Sequence, residues 1–248
     1  MKTGTALIDR VSASANRSGP DFDPVSVREL SEPVRRYLLH SIEPGTPLAG
    51  RGELSMKGEI RLKGWNRFQA RQVITGNMEM VWSARVRMMG MPVRGYDCLI
   101  EGGGEMSWKM LGLFPVMQAS GRNVTRSAAG RVAAELVWLP SAFLLPSVEL
   151  TAVDDATLSC SVEIAKEKVT TVMKIGGDGR LLSTRLKRWG NPEGDWGYHD
   201  FGALMIKESS FGGFTIPSQL RAGWHFHGRG FQNEGEFFRS DLTNSDYF

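Results

Sequence analysis

The chain has 248 residues, 41% hydrophobic and 23% charged, with a formal net charge of +3. These are ordinary globular proportions and exclude wholesale disorder. The 30 Lys and Arg residues form no clustered stripe with interleaved aromatics, which excludes nucleic acid as a partner.

The chain opens Met1-Lys2-Thr3-Gly4-Thr5-Ala6-Leu7-Ile8, without the apolar core of a signal peptide. No stretch approaches the roughly 18–20 apolar residues that span a bilayer, so no transmembrane segment is expected and the location reads as cytoplasmic. Residues 1–22 read as a loosely ordered lead-in, and residues 23–248 as a single α+β domain. Asp23-Pro24 is a helix-start pair. Val27, Leu30, Val34 and Leu38 then recur at helical spacing. Pro33 interrupts them, which predicts two short helices or a kink, the second starting at Ser31.

From Leu48 the period changes to two. Leu54, Met56, Ile60 and Leu62 fall on one face, with Glu53, Ser55, Lys57, Glu59, Arg61 and Lys63 on the other. Further strands are expected around Phe68–Ile74, Trp82–Met88, Arg94–Glu101 and Met106–Met110. A helix follows, capped by Asn123 and carrying the stripe Val132, Leu136, Leu139 and Phe143, with Pro140 bending or ending it. Strands resume at Leu158–Ile164, Val169–Ile175, Leu181–Trp189 and Tyr198–Ile206. One long strand reads from Phe214 to Phe226, and a closing segment from Glu234 to Leu242. Short segments with tight turns imply antiparallel neighbours. About ten strands in one sheet tend to curl. The expected architecture is therefore β-dominated α+β: a large curved, half-barrel-like antiparallel sheet with a few helices on its concave side.

Cys98 and Cys160 sit in apolar strand patterns and read as buried thiols. Motifs for serine hydrolases, zincins and phosphate loops are absent, and no cofactor is expected. Gly102-Gly103-Gly104 joins two strands and reads as a hairpin. Asp154-Asp155 reads as a turn. His225-Phe226-His227 is the strongest catalytic candidate, because residues two apart in a strand share a face. With His199 as a third ligand the pair forms a candidate metal site, although the glutamate that follows the similar HxH of cupins is missing. An enzyme on this face, assisted by Asp200 or Arg221, is one alternative.

The other function class is a non-enzymatic binder of a lipid or apolar small molecule. Seven Trp, twelve Phe and twelve Met give a large apolar inventory. Trp82, Met88, Trp108 and Trp138 are its candidate contacts, and Arg85 and Arg87 its candidate receptors for an anionic head group. A structural or interaction domain, including a homodimer through a sheet edge, stays open as a third reading.

Several runs share one pattern: Glu32-Pro33-Val34-Arg35-Arg36-Tyr37-Leu38, Leu111-Gly112-Leu113-Phe114-Pro115-Val116, Ala134-Glu135-Leu136-Val137-Trp138-Leu139-Pro140-Ser141, Asp154-Asp155-Ala156 and Gly213-Phe214-Thr215-Ile216-Pro217-Ser218. Together, from about residue 30 to the C-terminus, they resemble a bacterial family known only as a domain of unknown function. That resemblance implies a fold similar to the half-barrels of lipoprotein-carrier proteins. It supplies no catalytic residues.

Overall fold

The computed structural model describes residues 3–15, 18–88, 90–226, 228, 230–231 and 235–248. Alternating burial along the chain builds two antiparallel meanders. The first runs β1 (Arg51–Arg61), β2 (Trp65–Thr75), β3 (Met80–Met88), β4 (Met91–Ile100), β5 (Gly103–Met110) and β6 (Phe114–Ser120). The second runs β7 (Val148–Asp154), β8 (Thr157–Ile164), β9 (Glu167–Ile175), β10 (Leu181–Gly190), β11 (Gly197–Phe211), β12 (Phe214–Trp224) and β13 (Glu236–Tyr247). Antiparallel pairing of β1 with β13, from Gly52 opposite Tyr247 to Ile60 opposite Phe238, joins them into one thirteen-stranded sheet. Its edges are β6 and β7.

The link from β6 to β7 must cross the whole sheet, and it does so over one face. It comprises α3 (Arg122–Glu135), a 3₁₀ turn Leu136–Trp138 and a second 3₁₀ turn Pro140–Leu144. Helix α3 touches β4 and β5 on one wing and β9 and β10 on the other. These strands lie far apart in sheet order, so one helix meets both wings only if the sheet curls around it. The curled half-barrel is therefore a consequence of the crossover. The helical stripe read from sequence is buried as expected at Val132, Leu136, Leu139 and Phe143. Each such side chain contributes about 1.5–3 kcal/mol of burial. Helix α2 (Glu32–Ser41) covers the other end of the concave face, with Tyr37 edge-on to Phe143 at 5.6 Å.

Three sequence expectations change. The strand count rises from about ten to thirteen because β6 and β7 went unread. Both are edges. Strand β6 is exposed along most of its length and contains Pro115, which an edge tolerates because it needs no inward donor. The N-cap of α3 is Gly121, and the Asn123 side chain instead accepts a 3.1 Å bond from Trp189 Nε1.

The third change concerns the N-terminal stretch read as loose, which contains helix α1 (Gly4–Ser14), capped by Thr3 accepting from Ala6 N at 3.3 Å. It packs on the convex face, where Leu7, Ile8 and Val11 meet Val73, Val81, Tyr96 and Cys98 in a second small core. Three large apolar residues in eleven make too short a stripe to detect. Ser12 Oγ donates to Glu53 at 2.8 Å and Arg51 Nη1 to the Ser12 carbonyl at 3.1 Å, which ties the helix end to β1.

Both cysteines are buried thiols, and burial raises Cys160 to about 12. The thiolate is the reactive form. The folded protein is therefore expected to titrate no thiol with DTNB at pH 8. Removing residues 1–15 is expected to expose Cys98 and leave Cys160 protected, which peptide mapping of the labelled thiol checks.

Three hairpins turn in two residues that both have positive φ: Glu101-Gly102, Ala165-Lys166 and Gly212-Gly213. This is the geometry whose twist suits a two-residue hairpin. Ala165 (φ 50) and Lys166 (φ 65) carry side chains in the left-handed region. Such residues cost roughly 1–2 kcal/mol each. Replacing Ala165-Lys166 by Asn-Gly is expected to stabilise the fold by about 1 kcal/mol or more, measured by urea denaturation.

Candidate functional site

Register places Gln72, Trp82, Asp97 and Met106 side by side on four neighbouring strands. The row faces α3, and charge is built into it. Arg131 of α3 reaches Asp97 Oδ2 with Nη1 at 3.0 Å and Glu135 Oε1 with Nε at 2.8 Å. The remaining carboxylate oxygens are also engaged: Gln72 Nε2 donates to Glu135 at 2.7 Å and Trp108 Nε1 to Asp97 at 2.8 Å. Burial pushes Asp97 above the usual carboxylate range, against the pull of Arg131 and Trp108. Burial alone would lower Arg131, but Glu135 and Asp97 outweigh it and hold the guanidinium above its ordinary value.

The second wing brings Arg188 from β10. Its stem crosses α3 at Gly130, where a β-carbon would stand 2.9 Å from Arg188 Cγ. Only a helical glycine leaves this passage open. Nε and Nη2 of Arg188 donate to the carbonyl and hydroxyl of Ser127 at 3.2 and 3.4 Å. The guanidinium lies over Phe201 at 4.7 Å and Trp224 at 5.2 Å. Burial, reinforced by Arg131, lowers its pKa to about 10.

Between α3, the Leu136–Trp138 turn and the sheet floor lies a cavity of about 290 Å³. Small side chains create it: Ala134 on the helix side, and Ala203 and Ala222 directly opposite each other on β11 and β12. Larger apolar groups wall it, among them Trp82, Trp138, Met205, Leu220 and Phe238. Ile60, Trp224, Phe237 and Phe238 stay only partly buried because they face this unfilled space. Leu62, 53% exposed, lines the same cavity and marks where it opens to solvent.

The sequence candidates divide. Trp82 and Trp138 line the cavity, and Trp138 is fixed by its Nε1 bond to the Pro217 carbonyl at 3.0 Å. Trp108 supports the wall, 5.6 Å from Trp82 and bonded to Asp97. Met88 sits at the end of β3 opposite Met91, away from the cavity. Arg85 and Arg87 lie in a polar groove on the opposite face with Lys57, Arg67 and Arg239. They alternate with Trp82, Ala84 and Val86, so period two separates them from the tryptophans.

Among the described residues, His199 and His225 do not come together. Strand β12 ends at Trp224, and His225 turns at φ 54, so the shared-face argument loses its strand. His225 Nε2 lies 3.5 Å from Glu193, while His199 sits edge-on to Trp224 at 6.2 Å. His227 lies outside the described residues. Among the described residues no three His, Cys, Asp or Glu side chains converge as a metal site. Asp200 pairs with Lys187 at 3.0 Å, and Arg221 with Glu236 at 2.9 Å.

Sequence reading missed Asp97, Arg131, Glu135 and Arg188. A signal existed for two of them. Asp97 shares parity with buried Val93 and Leu99, and Arg188 with buried Thr184 and Leu186. A charge on the apolar side of a strand is the unusual observation.

The curled sheet is similar to solved structures at very low sequence identity. A LolA-superfamily protein from Nitrosomonas europaea aligns with a TM-score of 0.47 and 8% identity, over 87% of this chain and 92% of that one. A domain from Vibrio parahaemolyticus described as an outer membrane lipoprotein-sorting protein aligns at 0.39 and 8%, over 80% and 85%. A DUF1329 family protein from Desulfovibrio piger aligns at 0.36 and 12%, over 80% and 86%. No curated protein sequence matches the chain. The profile of the family of unknown function DUF6544 matches residues 20–233, and the chain belongs to that family.

Proposed function

We propose that the protein is a non-enzymatic binder of an apolar, lipid-like ligand held between α3 and the concave face of the sheet. The observation that carries this reading is the cavity of about 290 Å³, walled mainly by Trp, Phe, Met and Ala side chains, with the charged groups of Asp97, Arg131, Glu135 and Arg188 at one side. Ligand sites begin at roughly 300 Å³, so the space suits one hydrocarbon chain better than two. Each methylene buried there contributes about 0.8 kcal/mol. The alanines at 203 and 222 support the same reading, because a core selected only for stability fills such gaps.

No helix among the described residues is long and apolar enough to cross a membrane. The opening at the exposed Leu62 is the route by which a ligand would enter and leave.

The neutral fluorophore N-phenyl-1-naphthylamine tests the reading. Wild-type protein is expected to take it up with a blue-shifted emission. Ala203→Phe and Ala134→Phe approach the cavity from opposite walls. Each is expected to weaken uptake by about tenfold or more, equivalent to roughly 1.4 kcal/mol, while circular dichroism stays unchanged. No uptake by wild type, or full uptake by both folded variants, contradicts the proposal.

A further inference from the structure

We infer that the ligand carries an anionic head group and that Arg188 is its receptor. This rests on the cavity being a ligand site, as proposed above.

Arg188 lines the cavity, yet among the described residues no carboxylate stands within ion-pair distance of it. Asp97 and Glu135 are the nearest acids to act on it, and their oxygens are engaged by Arg131, Trp108 and Gln72. Nε and Nη2 donate to Ser127, and Nη1 has no protein acceptor and is not fully buried, so this edge of the guanidinium is left accessible. The rings of Phe201 and Trp224 lie against the guanidinium. A partly buried guanidinium that keeps one edge free of protein acceptors is set to receive an anion there.

A second donor points the same way. Trp82 is 2% exposed and lines the same cavity, and its indole N–H is buried without an acceptor. Asp97 and Glu135 also line the cavity, but their oxygens are already engaged by Arg131, Trp108 and Gln72, so two donors without protein acceptors favour a ligand that brings its own oxygen acceptors. A planar guanidinium pairs best with a carboxylate or phosphate. The cavity volume admits one chain, so the class is a single-chain anionic amphiphile. This moves the anion-binding role from Arg85 and Arg87, on the opposite face, to an arginine on the tryptophan side.

The test compares palmitate, hexadecyl phosphate and uncharged hexadecanol by displacement of N-phenyl-1-naphthylamine from wild type and Arg188→Met. Wild type is expected to bind at least one of the two anions about tenfold or more tighter than hexadecanol, as a charge-assisted bond implies. The tighter anion identifies the head group. Arg188→Met is expected to bind all three like hexadecanol, with a melting temperature equal to or above wild type. Methionine keeps the stem's packing and removes the enclosed charge.

Equal wild-type affinity for all three amphiphiles overturns the Arg188 assignment and leaves the cavity reading intact. An anion preference that persists in Arg188→Met overturns it as well. A lower melting temperature with the preference retained marks Arg188 as a structural tie to Ser127. Failure of wild type to bind any of the three, hexadecanol included, is the distinct result that removes the cavity reading itself.

Discussion

Helix α3 is held at once by the two wings of a single sheet, and the rest of the architecture follows from that constraint. On one side Arg131 reaches Asp97 of β4, and Thr125 Oγ1 accepts from Gly104 N of β5 at 2.9 Å. On the other side Arg126 pairs with Glu167 of β9 at 2.9 Å. These partially enclosed ties exceed what exposed ion pairs contribute, because water screens them less. They fix the distance between the wings. The sheet must then span that distance as a curve, with β1 and β13 at its centre.

A curved floor thirteen strands wide is larger than a helix of 14 residues can cover. Such a helix is about 21 Å long at 1.5 Å per residue. Helix α2 and the Pro140–Leu144 turn fill one end of the concavity, with Tyr37 and Phe143 in edge contact. Under the C-terminal end of α3 the floor carries Ala203 and Ala222 where larger side chains would close the gap. The cavity is thus a property of length and side-chain size together. The same crossover that curls the sheet leaves the space and brings Arg131 to its wall, where Arg188 of β10 meets it.

Much of the sheet was legible because its strands alternate cleanly. Leu158, Cys160, Val162 and Ile164 read as inward from sequence, and all four are buried. The edge strands β6 and β7 were not legible, because an edge needs neither strong alternation nor a full set of donors. Helix α1 was missed for a related reason: its three buried apolar side chains cover one small patch of the convex face. The site was half legible. Tryptophan content pointed to Trp82 and Trp138, but pairing them with Arg85 and Arg87 disregarded strand parity. His225 lies just past the end of β12, where the chain turns, a break that no proline or alternation change announced. The charges that matter, Asp97 and Arg188, stand at inward positions where sequence reading expected apolar residues. Their placement makes sense only once α3 is known to lie over them.

The central claim is that the space under α3 holds a single apolar chain. Native mass spectrometry of gently purified protein, with organic extraction of what travels with it, tests this most directly. The expected result is one added mass per chain, matching a single-chain amphiphile in the extract. A spectrum of the bare chain, with no apolar molecule in the extract, would contradict the claim.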